Sequence, residues 1–86
     1  MQFFFKEKFN HSYKKLSPKI KARFKERREL FSKEPNCRIL NLHKLSGKYD
    51  GMWSINITGD YRAIFDKQNE EIIIFINIGT HSELFK

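Results

Sequence analysis

Residues 72–78 read Ile-Ile-Ile-Phe-Ile-Asn-Ile, a nearly continuous apolar run bounded by polar turn residues on one side and Gly79-Thr80 on the other. A run of this kind is expected of a central strand covered on both faces, so the rest of the chain must supply flanking strands and a covering layer. The segment just before it fits that demand. In Trp53 to Thr58, Trp53, Ile55 and Ile57 alternate with Ser54, Asn56 and Thr58, the period-two pattern of a strand with one buried face. Gly59-Asp60 can turn the chain into a further strand, Tyr61 to Asp66, and Lys67 to Glu70 form the next turn. Antiparallel hairpins therefore build most of a sheet.

The N-terminal half supplies the cover. Phe3 to Phe5 read as a short first strand. From Lys6 to Leu16, Phe9, Tyr13 and Leu16 fall at helical spacing. Ser17 can cap a second helix, and Pro18 suits its first position. In that helix Ile20, Phe24, Arg27 and Phe31 share a stripe widened by Leu30, while Lys19, Lys21, Arg23, Lys25 and Arg28 mostly occupy the other face. Glu34-Pro35-Asn36 ends it, because the residue before a proline avoids helical geometry. Ile39, Leu40, Leu42 and Leu45 then suggest a strand or extended segment, with turn signals at Ser46-Gly47-Lys48 and Asp50-Gly51. Gly79 to Lys86 carries a helical-turn signature, with Thr80 or Ser82 as cap. The order is β-α-α-β-β-β-β with a short tail: an α+β domain in which two N-terminal helices pack on one face of a mainly antiparallel sheet of four to five strands.

All 86 residues are expected to form one domain with a single core. The lone Cys37 excludes an internal disulfide and a cysteine-based zinc site, and fits a reducing, cytoplasmic setting. The N-terminal Met-Gln-Phe-Phe-Phe-Lys-Glu-Lys-Phe has too short an apolar stretch for a signal peptide, and nothing approaches the ~20 apolar residues of a membrane span. The net charge of +7 is one-sided. Residues 1–48 hold 14 Lys or Arg against 4 Asp or Glu; residues 49–86 hold 3 against 6. A basic half on so small a domain attracts polyanions such as RNA, DNA or an acidic protein.

Four stretches together resemble the RelE/ParE toxin superfamily of type II toxin–antitoxin systems. They are the basic helix after Ser17-Pro18, Leu42-His43-Lys44-Leu45-Ser46-Gly47, Trp53 through Phe65, and Ile78 through Phe85. The ending Gly79-Thr80-His81-Ser82-Glu83-Leu84-Phe85 is similar to the YafQ-like branch. The resemblance spans nearly the whole chain in order. It implies two helices on a curved, mainly antiparallel sheet, endonucleolytic cutting of messenger RNA in the decoding site of the ribosome, no metal or other cofactor, and a cognate antitoxin that blocks or distorts the site.

Cutting RNA without a metal requires a base to take the 2′-hydroxyl proton, an acid for the leaving oxygen, and a cation for the extra phosphate charge. By resemblance His81 matches the family's C-terminal catalytic histidine and serves as the acid, a role for which imidazole is suited near neutral pH. Arg62, on the strand face opposite Tyr61 and Ala63, is the phosphate clamp; the competing reading is an ion pair with Asp66 or Glu83. His43 resembles the first histidine of the branch, as base or phosphate contact, and Asp60 an acidic residue that orients a histidine or acts as base. Tyr61 and Phe85 could stack on unpaired bases, and Lys44 and Lys48 could hold the RNA backbone. His11 and Cys37 are read as structural. The chain departs from the branch at Asn56, where the branch has histidine, and at Asn77, where it has arginine; Arg62 could replace the latter. Two other functions share the superfamily's fold: ParE-type inhibition of DNA gyrase, which needs no catalytic histidine, and plain RNA binding. Gly-rich phosphate loops, zinc-hydrolase patterns and nucleophile elbows are absent from the sequence.

Overall fold

The computed structural model describes every residue from Met1 to Lys86. Its longest helix begins where the sequence says it must. Ser17 has extended backbone and its hydroxyl accepts the Ile20 N–H, Pro18 occupies the first turn, and the helix runs to Lys33, one residue before Glu34-Pro35. This is α2. It follows α1 (Glu7–Lys14) and the first strand β1 (Gln2–Phe5). Beyond α2 come β2 (His43–Lys44), β3 (Trp53–Asn56), β4 (Tyr61–Lys67), β5 (Ile72–Thr80) and a short α3 (His81–Leu84). None of the helices is long and apolar enough to cross a membrane.

The strands form one sheet in the order β1-β5-β4-β3-β2. The apolar run of β5 is thus flanked on both sides, parallel to β1 and antiparallel to β4. Its two faces are covered differently. On the helix side, Phe9, Phe24 and Phe31 from the helices meet Ile55, Ile57, Ala63, Phe65, Ile73, Phe75 and Ile78 from the sheet. The rings form a continuous path: Phe31 lies 5.1 Å from Phe65, Phe65 5.6 Å from Phe75, and Phe75 5.2 Å from Phe24. Each fully buried ring of this kind contributes roughly 1.5–3 kcal/mol of transfer free energy, and these rings carry most of the stability. On the other side, a smaller cluster of Tyr49, Ile64 and Leu84 closes the sheet beneath α3.

Two features were not foreseen. First, the Ile39–Leu45 segment is not one extended strand. Arg38–Leu40 make a 3₁₀ turn, ended by Asn41 at φ 46°, and only His43 and Lys44 pair with β3. The left-handed Asn41 breaks the extended path, so Leu40 turns fully inward while Ile39 stays half exposed. Second, β5 contains a bulge. Ile64 pairs with Asn77 and Phe65 with Phe75, leaving Ile76 as the extra residue. That slip lets Ile73, Phe75 and Ile78 all join the helix-side core, although strict alternation would send Ile78 to the opposite face.

Candidate active site

The first two residues of the site come from strand parity. Arg62 stands opposite Asn56 on β3 and Gly79 on β5, and His43 stands opposite Ser54, itself opposite Ile64. Because Ala63, Phe65 and Ile55 face the helices, His43, Ser54 and Arg62 share the other face. The third comes from the chain end. Thr80 caps α3 through a reciprocal pair: its hydroxyl accepts the Glu83 N–H at 3.2 Å, and its own N–H donates to Glu83 Oε1 at 2.8 Å. Gly79 makes room for that carboxylate, since a Cβ there would lie 3.0 Å from Glu83 Oε1. The Gly-Thr-His-Ser-Glu sequence is therefore a helix start, and His81 is its first helical residue.

These elements enclose an open cleft of about 330 Å³ lined by His43, Lys44, Ser54, Arg62, His81 and Phe85, with Leu45 and Ser46 at its rim. No carboxylate lines it. His43 Nδ1 lies 2.7 Å from the Asn41 carbonyl oxygen. A carbonyl can only accept, so Nδ1 carries the proton, and the neutral ring presents the lone pair of Nε2. The left-handed turn at Asn41 is what aims its carbonyl at the ring. His81 is exposed; its ring sits 4.8 Å from Phe85, which in turn meets the buried Tyr49 edge-on at 5.7 Å. The His81 N–H donates to the Asp60 carbonyl at 3.2 Å, so the β3–β4 turn fixes where α3 begins.

Arg62 makes neither ion pair that could have claimed it. Glu83 is engaged by the cap, and Asp66 accepts from Gln68 at 2.7 Å. Instead its Nη1 donates to the carbonyls of Gly59, Thr58 and Tyr61, at 3.1, 3.5 and 3.5 Å. Neutral acceptors orient a guanidinium without cancelling its charge, which leaves Arg62 free to bind an anion.

Of the expected site residues, His43, Lys44, Arg62, His81 and Phe85 are brought together. Three lie elsewhere. Asp60 is exposed in the turn and reaches the site through its backbone carbonyl. Tyr61, the neighbour of Arg62, packs against the helix-side core and lines a groove with Ser12 and Leu16. Lys48 lies outside the cleft, 5.4 Å from the Tyr49 ring. Lys44 touches the cleft, but its ammonium sits 6.0 Å from the ring of its cross-strand partner Trp53, on the helix side of the sheet. Of the two departures from the branch, Asn77 is buried and accepts from Ser12 Oγ at 2.8 Å and from the Ile78 N–H at 2.9 Å, a structural assignment. Asn56 lies beside Arg62 with its Oδ1 shielded and unpartnered. The sequence reading missed Asn41, whose enrichment in left-handed turns was a usable signal, and Ser54, a buried polar residue on the alternation face assigned to solvent.

A family model described as "Bacterial toxin of type II toxin-antitoxin system, YafQ" matches residues 1–86. A search of the curated proteins finds no match. Among solved structures, YafQ from Escherichia coli strain BL21(DE3) superposes with a TM-score of 0.82 at 18% identity, over 99% of this chain and 98% of that one. The toxin in the E. coli DinJ–YafQ complex gives 0.81 at 19% identity, over 99% and 97%. A chain of the RelBE2 toxin–antitoxin complex of Mycobacterium tuberculosis gives 0.73 at 21%, over 93% and 96%. At these identities the structures establish a shared fold.

Proposed function

This chain belongs to the YafQ family of bacterial type II toxins, and we propose that it is a metal-independent endoribonuclease that cuts messenger RNA on the ribosome and is restrained by a cognate antitoxin. The observation that carries this reading is the convergence of His43, Arg62 and His81 on one cleft free of carboxylates, from three separate parts of the chain. His43 Nε2 removes the proton of a 2′-hydroxyl, whose oxygen attacks the adjacent phosphorus. Arg62 holds the phosphate as its charge rises. His81 donates a proton to the departing 5′-oxygen as the phosphorus–oxygen bond breaks. The products are a 2′,3′-cyclic phosphate and a 5′-hydroxyl, and the proton taken by one imidazole is matched by the proton given by the other. Phe85, held against His81 and Tyr49, offers a ring face for an unpaired base.

The partner assignment follows the relatives. E. coli YafQ is found in complex with DinJ, and the mycobacterial toxin in a RelBE2 complex; for this chain an acidic antitoxin suits the basic residues 1–48. The test is growth arrest with mapping of cut sites in cellular RNA, for wild type and for His81→Ala and Arg62→Ala at matched folded levels. The reading expects arrest and cleavage by wild type alone, and unchanged cleavage by purified toxin and ribosomes under a chelator that leaves the ribosomes intact. Arrest without cleavage, with His81→Ala equally toxic, would instead support inhibition by binding, as in a gyrase poison.

A further inference from the structure

On the far side of the β3–β4 turn from the cleft lies a second pocket, of about 260 Å³, lined by Arg23 and Arg27 of α2 and by Ile39, Asn56, Thr58 and Gly59. Arg23 and Arg27 are one turn apart and so project from the same side of the helix. The Arg27 Nε donates to the Ile57 carbonyl at 3.3 Å, which fixes the guanidinium plane while its terminal nitrogens make no ion pair. Arg23 approaches only the well-exposed Glu26, at 4.0 Å, a contact too long and too wet to neutralise it. The turn itself is gripped from both sides: Arg27 takes the carbonyl of Ile57, and Arg62 those of Thr58 and Gly59. Asn56, the cross-strand partner of Arg62, also borders this pocket.

Three guanidiniums thus surround one four-residue turn, two on one side and one on the other, with every turn carbonyl they use left neutral. Structural stability alone does not call for this arrangement, because it concentrates positive charge without a carboxylate to offset it. A chain of phosphodiesters supplies the missing counter-charge at repeated intervals. We infer that Arg23 and Arg27 form a second phosphate subsite, which holds the RNA backbone one or a few nucleotides away from the phosphate that Arg62 clamps. The planar fork of arginine matches phosphate oxygens two at a time, so the pair acts as a grip of defined position. The Lys-rich outer face of α2 supplies only a diffuse field. This inference rests on the RNA-cutting reading and extends its substrate site across the turn.

The test uses the full chain and two fluorescent 2′-O-methyl oligoribonucleotides, which cannot be cut by 2′-hydroxyl attack: a trimer that fills the cleft and an about twelve-nucleotide strand that also crosses the turn. For Arg23→Gln/Arg27→Gln the expected result is about tenfold weaker binding of the longer strand at low salt, with trimer affinity unchanged. The slope of log affinity against log salt should fall by roughly 1.4, at about 0.7 for each phosphate lost. Arg23→Gln alone, at the more exposed position, should show about a threefold loss by the same electrostatic reasoning and guards against misfolding of the double variant. Wild-type affinity and salt slope in both variants would overturn the subsite while leaving the nuclease reading in place. Wild type that binds neither oligonucleotide would overturn both. Unchanged RNA affinity with weakened binding of a poly-glutamate peptide would overturn the subsite as well, and assign the pocket to an acidic protein segment.

Discussion

The two faces of the sheet are built on opposite terms. On the helix side eleven buried residues form one cluster, and its aromatic rings touch in an unbroken series. Its buried amide, Asn77, is hydrogen-bonded to Ser12 and to the chain itself. On the cleft side the buried cluster has three members, and two neighbouring polar atoms, Tyr49 OH and Ser54 Oγ, are shielded from water without a protein partner. An unpaired buried polar group costs about 1–3 kcal/mol, so this face holds arrangements that stability would remove. The contrast teaches that the sheet separates two tasks by its own thickness: Ala63 and Phe65 anchor β4 to the helices so that Arg62, between them and the turn, can be held facing a cleft that contributes little to the fold.

The sharpest way to break this division is to show that a change on one face is felt on the other. His81→Ala should lower the cleavage rate by about 10²–10⁴-fold, the usual worth of a positioned acid, with no loss in denaturant midpoint; a large stability loss would mean that the cleft face supports the fold. Phe75→Ala should do the reverse. Its ring meets Phe3, Phe5, Phe9, Phe24 and Phe65, and its removal should cost about 3–5 kcal/mol of stability. Cleavage per folded molecule, measured well below the new midpoint, should be retained. The two buried polar groups refine the comparison further. Asn77→Ala strips Ser12 Oγ and the Ile78 N–H of their acceptor and should cost about 1–3 kcal/mol in urea unfolding. Ser54→Ala removes a hydroxyl that already lacks a partner, so the same measurement should move by less than about 0.5 kcal/mol, and a loss as large as that of Asn77→Ala would contradict the contrast.

Much of this was legible from residue order, and the failures have physical causes. The start of α2 followed from Ser17-Pro18, the buried face of β3 from alternation, and the flanked position of β5 from its unbroken apolar run. His43, Arg62 and His81 were reached through motif resemblance, and the cleft brings them together. The bulge at Ile76 was hidden because a run apolar at almost every position has no parity to violate. The 3₁₀ turn at Arg38–Leu40 was hidden because three of its neighbours are apolar at spacings that a strand would also show, while the deciding signal was the left-handed tolerance of Asn41. The placing of Lys44 is a parity effect: next to His43 on one strand, it cannot send its side chain to the same face. Tyr61 differs from Arg62 for the same reason.

The register of β1 has a consequence for how the molecule comes into being. Gln2 lies opposite Ile72, and Phe5 opposite Phe75, so the first strand made by the ribosome waits for almost the last one before it has a neighbour. A parallel pairing across that much chain closes late and slowly, since the loop entropy must be overcome before any contact forms. Until then the helical hairpin has no sheet to rest on, and the residues that line the cleft are scattered along an unorganised polypeptide. A chain released before Thr80 lacks both the strand that completes the core and the histidine that follows it. Assembly order therefore acts as a timer, and the cleft takes shape only once synthesis of its own chain is nearly finished.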